Sequence, residues 1–140
     1  MILLDTSGLL AALDVREPRH EAAKAAIRAS DGPLALSPFV LAELEYLVAT
    51  RVSPLAAREL LAEVGRGAYQ LEPMDAADIV EAVGVIDRYR DLALGLADAS
   101  LVVLSRRHDV SDVLTLDERH FRVIQGARGR PFRILPADAA

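Results

Sequence analysis

The chain has 140 residues, 52% of them hydrophobic and 26% charged, which predicts one folded domain over residues 1–140 rather than a disordered segment. It has no Cys, which excludes a disulfide framework and a thiolate metal site and agrees with a reducing cytoplasm. The net charge of −5 argues against a general nucleic-acid binder, although the excess is uneven: residues 1–97 carry 9 Lys/Arg against 15 Asp/Glu, and residues 98–140 carry 7 Arg against 6 acids.

The opening MILLDTSGLLAALD reads as a buried strand ending in an acid, Asp5, followed by a Thr6-Ser7-Gly8 turn and a short helix from Leu9. With no positive leader and an acid inside its apolar run, it makes a poor signal peptide. No uninterrupted apolar stretch is long enough to span a bilayer, so no membrane association is expected. A second helix is predicted from Glu17-Pro18 to about Ser30, with His20, Glu21, Lys24 and Arg28 facing solvent, before the breaker Asp31-Gly32-Pro33. Leu34 to Leu36 reads as a second strand. Ser37-Pro38 is a strong helix start, Ser at the N-cap and Pro at the first helical position, for a helix to about Thr50 with Val40, Leu41, Leu44, Leu47 and Val48 inward. Ser53-Pro54 repeats the signal, and Gly65 and Gly67 close that helix.

Tyr69 to Leu71 predicts a third strand, and Asp75 to Arg88 an amphipathic helix with Ile79, Val83 and Ile86 inward. The helix opened by Gly95-Leu-Ala-Asp98 is apolar around most of its circumference, as a helix buried on more than one side would be. Val113 to Leu116 and Phe132 to Leu135 supply the fourth and fifth strands. Short strands alternating with helices predict an α/β fold with a parallel sheet covered on both faces.

In such a sheet, ligands bind outside the carboxyl ends of the strands. Asp5 ends the first strand, Asp117 follows the fourth, Glu43 lies in the helix leaving the second, and Asp98 sits in the first turn of the apolar helix. Taken singly, each has an ordinary reading: Asp5 as a turn or N-cap, Glu43 as a solvated rim residue, Asp98 as a helix-dipole partner, Asp117 as a cap. Taken together they are drawn to one edge of the sheet. Carboxylates crowded there resist joint ionisation unless a cation joins them. Oxygen donors without Cys or paired His suit Mg2+ or Mn2+, and such a site fits hydrolysis of a phosphodiester. His20, His108 and His120 read as solvated, His120 least clearly because it follows Asp117. The pairs Arg106-Arg107 and Arg119/Arg122 suit either phosphate or a local helix end.

The segments ILLDTSGLLA, SPFVLAELEYLV, GLADASLVVLSRRH and VLTLDERHF, spread over essentially the whole chain, resemble the PIN-domain ribonucleases, and within them the VapC-type toxins of toxin–antitoxin pairs. The resemblance implies a PIN-like three-layer α/β/α sandwich with a five-stranded parallel sheet, and Mg2+- or Mn2+-dependent cleavage of structured RNA such as tRNA or rRNA. It also implies a homodimer and a small cognate antitoxin. By position, Asp5 and Asp98 correspond to the principal metal ligands, Glu43 and Asp117 complete the acidic quartet, and Thr6, Ser7 and Thr115 are the hydroxyls that orient it. The helices at 37–50 and 54–64 are candidates for a shared apolar face. The alternative is a catalytically silent PIN-fold module that binds a protein or RNA partner. A haloacid-dehalogenase phosphatase would need Asp where Ser7 stands, a receiver domain a late Lys where Lys24 is far too early, and a dinucleotide fold more than Gly65 and Gly67.

Overall fold

In the computed structural model, which describes residues 1–140, Ile2–Leu4 (β1) is the middle strand of a five-stranded sheet. Leu34–Leu36 (β2) and Gln70–Leu71 (β3) lie on one side of it, Asp112–Leu114 (β4) and Arg133–Leu135 (β5) on the other. Every neighbouring pair is parallel, in the order β3-β2-β1-β4-β5. The chain steps outward from β1 through β2 to β3 and then crosses back to β4 on the other side of β1, so a crevice opens at the carboxyl ends of β1 and β4. Both faces are covered: Leu3, Leu4, Val113, Leu114 and Ile134 are all fully buried, which is why these strands read as continuous apolar runs.

The helices are Thr6–Leu13 (α1), His20–Ala29 (α2), Pro38–Arg51 (α3), Pro54–Gly65 (α4), Ala76–Arg88 (α5), Leu96–His108 (α6) and Glu118–Phe121 (α7). No helix is long and apolar enough to cross a membrane. Ser37 and Ser53 cap α3 and α4, accepting hydrogen bonds from Phe39 N at 3.2 Å and Ala56 N at 3.0 Å, each with Pro in the first turn. A reciprocal box of Asp75 and Asp78 starts α5. Residues 99–105 of α6 are buried without a break, so this helix is the middle of its layer, as its apolar circumference predicted.

Several local expectations are corrected. The first helix begins at Thr6 rather than Leu9, because the chain turns directly after Asp5. The second begins at His20, and His20 is buried with Nδ1 2.8 Å from the carbonyl of Ala11, since α2 packs on α1. On α5 the buried line runs through Ala82 and Val85, leaving Val83 exposed. Leu41 and Leu47 are half-buried at the margin of the α3 stripe.

Two contacts fix the helix starts that carry the candidate acids. A Cβ on Gly8 would stand 2.3 Å from the carbonyl oxygen of Leu114, so α1 begins directly against the end of β4. Ser37 Oγ lies 2.7 Å from Ser100 Oγ, and Ser100 also donates to Ala97 O at 2.6 Å, which pins the start of α3 to the start of α6. Gly8→Ala should therefore destabilise by about 2–4 kcal/mol in urea unfolding, because backbone must move to admit the methyl group. Gly84→Ala, on exposed α5 with nothing nearby, should instead stabilise by about 0.5–1 kcal/mol.

Candidate active site

Asp5 leaves β1 and is buried at the base of the cleft, 5% exposed. Thr115, the residue after β4, donates from Oγ1 to Asp5 Oδ2 at 2.6 Å, and Ser7 Oγ donates to the same oxygen at 3.2 Å. Ser7 Oγ in turn accepts from Leu116 N at 2.9 Å, and Thr115 Oγ1 accepts from Asp117 N at 2.9 Å. The hydroxyls thus lace the carboxyl end of β1 to the turn after β4. Both side-chain bonds fall on Oδ2, leaving Asp5 Oδ1 without a side-chain donor.

An open cleft of about 280 Å³ lies above this lacing, lined by Asp5, Thr6, Ser7, Leu10, Glu43, Leu47, Arg51, Asp98 and Asp117. All four acids singled out in the sequence therefore meet in one cleft, and Thr6, Ser7 and Thr115 stand at its floor. They do not meet equally. Asp98 and Asp117 form a tight group with His120, each offering a ligand atom within 4.8 Å of the others. Asp5 and Glu43 stand outside that group, and Glu43 is exposed on the wall formed by α3.

His120, like His20, was placed wrongly by the sequence reading. It is half-buried: its Nδ1 is buried, 2.9 Å from Asp117 Oδ2 and 3.6 Å from Asp98 Oδ2, close enough for charge yet off-line for a hydrogen bond. Its spacing from Asp117 was the available signal, since Asp117 caps α7 by accepting from His120 N at 3.1 Å and so puts the ring beside its own carboxylate. Arg51, also unremarked in the sequence, completes the rim.

Charge crowding is visible in the titration of the acids. Burial pushes the Asp5 carboxyl up to about 6; the Thr115 hydrogen bond opposes this and the charge of Asp98 adds to it. Asp98 is also raised, first by burial, against the hydrogen bond from Gly95 N and the nearby His120, with Asp117 and Glu43 adding repulsion. The donor set fits a hard divalent cation. It consists of carboxylate oxygens, one imidazole nitrogen and the buried hydroxyl of Thr6, whose Oγ1 has no hydrogen-bond partner.

Residues 2–126 match the family model described as PIN domain. The chain belongs to the PIN-domain family. Within it the chain sits with the VapC-type ribonucleases: it is 42% identical over 135 residues to Ribonuclease VapC26 of Mycobacterium tuberculosis, covering 96% of this chain and all of that protein. Among solved structures, the fold resembles Mycobacterium tuberculosis VapC20, a sarcin–ricin-loop-cleaving toxin, with a TM-score of 0.77 at 22% identity over 84% of this chain and 90% of that one. It also resembles FitAcB from Neisseria gonorrhoeae, with a TM-score of 0.63 at 20% identity over 84% and 88% of the two chains. These two likenesses establish the PIN-type α/β architecture, and the parallel five-stranded sheet agrees with it.

Two measurements follow from the crowded acids. Because Asp5 binds its proton more tightly folded than unfolded, its contribution favours the fold below about pH 4 and is lost as pH rises through about 6. In EDTA, Asp5→Asn should therefore flatten that slope and leave the protein about 3 kcal/mol more stable than wild type at pH 8, read by urea unfolding across the pH range. Adding Mn2+ or Mg2+ at 100 times its dissociation constant should stabilise the wild type by about 2.7 kcal/mol, and Asp98→Asn should blunt the response. A wild-type melting curve indifferent to both ions would remove the metal site.

Proposed function

We propose that this chain is the toxin of a toxin–antitoxin pair, an endoribonuclease that hydrolyses a phosphodiester of structured RNA, transfer or ribosomal, with the help of Mg2+ or Mn2+. The reading is carried by the meeting of Asp5, Glu43, Asp98 and Asp117 in one cleft of a chain so similar to Ribonuclease VapC26. Asp5 and Asp98 would be the principal ligands, with Glu43 and Asp117 completing the acidic set and His120 alongside them. When bound, the ion supplies Lewis acidity to the phosphodiester and to the attacking water.

The protein's own contribution is placement. Thr115 and Ser7 hold one oxygen of Asp5 and so orient the other, which keeps the carboxylate in one rotamer without spending both of its oxygens. Asp98 is held from the start of α6, where the helix dipole also favours its charge. Burial of Asp5 and Thr6 limits water at the floor, so that charges there act at low dielectric, while the exposed wall with Glu43 leaves room for a polymer to enter.

The same reading gives the protein two macromolecular partners besides RNA. One is a small cognate antitoxin whose segment fills the cleft. The other is a second copy of the chain in a homodimer, for which the exposed Tyr46, Leu55 and Leu61 on α3 and α4 offer apolar surface.

Cleavage of total cellular RNA with Mn2+ tests the central claim. The wild type should cleave, EDTA should abolish cleavage, and Asp5→Asn and Asp98→Asn should each lower the rate by about a hundredfold or more. Equal cleavage by wild type and both variants would retire the nuclease reading and favour a PIN-fold module that binds a partner without cutting it.

A further inference from the structure

Arg51 stands apart from the other arginines by its place. It is in the last turn of α3, and Glu43, Leu47 and Arg51 follow one another at four-residue spacing, so one face of the helix makes the wall of the cleft. Among the residues lining the cleft it alone is cationic. Most arginines of the C-terminal third are held by acids, as Arg107 is by Asp78 and Arg122 by Asp138; Arg51 makes no ion pair, and its guanidinium is uncommitted. Its main chain, by contrast, is tethered: the Arg51 carbonyl accepts a hydrogen bond from Arg16 Nη2, and Arg16 is itself held by Asp14 through Nε at 3.1 Å. The end of α3 is thereby tied to the loop after α1, with the free cation projecting from a fixed base.

A cleft of carboxylates repels a polyanion, and a bound ion offsets that only at its own position. Arg51 lies eight residues beyond Glu43, roughly 12 Å along the helix axis, at the far end of the same cleft wall. A fork of N–H donors on that wall suits a phosphate beside the reacting one. We propose that Arg51 binds an RNA backbone phosphate adjacent to the one being cut, and so sets the register in which the strand crosses the acidic cleft. This rests on the ribonuclease reading above; it makes Arg51 a positioning residue rather than a catalytic one.

The test uses a fluorescently labelled RNA stem–loop and Mn2+. Cleavage by wild type, Arg51→Ala, Arg51→Lys and Arg58→Ala is compared, Arg58 being exposed on α4 outside the cleft. Binding of the same RNA is followed by anisotropy in an Asp98→Asn background. Arg51→Ala should raise KM about tenfold with kcat within about threefold, and should lower the slope of log affinity against log salt by about 0.7–0.9, one phosphate contact. Arg51→Lys should recover part of the affinity, and Arg58→Ala should match wild type. The Mn2+-induced rise in melting temperature should be unchanged in Arg51→Ala. An unaltered KM and salt slope overturns the proposal, and so does a larger Mn2+ response in Arg51→Ala, which would make Arg51 a counter-charge for the acids. If the wild type binds the stem–loop without cutting it, Arg51-dependent anisotropy keeps the phosphate contact and retires the nuclease reading. Arg51-independent binding, or none, retires the phosphate contact.

Discussion

The Asp5–Thr115 hydrogen bond joins the end of the central strand to the end of its neighbour, and the candidate site is built around it. Asp5 is buried where a carboxylate is poorly solvated, and it is kept there by two hydroxyls on one oxygen and by α1 pressed against β4 at Gly8. The segment Asp5-Thr6-Ser7-Gly8 therefore has a division of labour. Asp5 provides charge, Thr6 an unpartnered buried hydroxyl, Ser7 the bridge to the turn after β4, and Gly8 the space for that approach. Replacing any one of them changes where the others sit. That is a physical reason for four adjacent residues to behave as one unit.

Such an arrangement opposes stability. Asp98 adds repulsion to the Asp5 carboxylate already raised by burial, and Asp117 and Glu43 add it to Asp98; the protein tolerates this because the surrounding core is continuous and apolar. The Ser37–Ser100 contact has the complementary role of fixing α3 against α6, so that Glu43 and Asp98 are set by the packing of two helices rather than by a loop. A rigid frame holding a self-repelling cluster is poised to gain from a cation, since the cation removes the repulsion without any rearrangement of the frame.

Much of this was legible in the sequence, and the reasons differ by element. β1, β2 and β4 were found because burial on both faces makes them apolar runs, α3 and α4 because Ser-Pro is local chemistry that needs no tertiary partner, and α5 by its amphipathic period. The four acids were legible as a set because the carboxyl edge of a parallel sheet gathers residues remote in the chain. What failed was side-chain environment decided by another element. His20 looks solvated on an isolated α2 and is buried only because α1 supplies a carbonyl. Val83 looks inward on a helical wheel, yet α5 packs on α6 through Ala82 and Val85 instead. His120 belongs to a four-residue helix too short to leave a periodic signature, and its role emerges only once Asp117 is seen to cap that helix.

The balance of charge along the chain needs the same correction. The excess of arginine after residue 97 resembles a phosphate-binding surface when counted, but counted charge is not presented charge. Arg106, Arg107, Arg122, Arg128, Arg130 and Arg133 each lie within ion-pair distance of an acid of the same chain, leaving Arg119 as the one member of that run without such a partner. Exposed pairs of this kind add little to stability, about 0–1 kcal/mol each, yet they do quench the field that a polyanion would feel. A protein of net charge −5 can therefore engage RNA only where cations are uncommitted or where a bound ion reverses the local sign. The cleft at the carboxyl ends of β1 and β4 offers the groups for both: carboxylates that a cation would neutralise and, on α3, an uncommitted guanidinium.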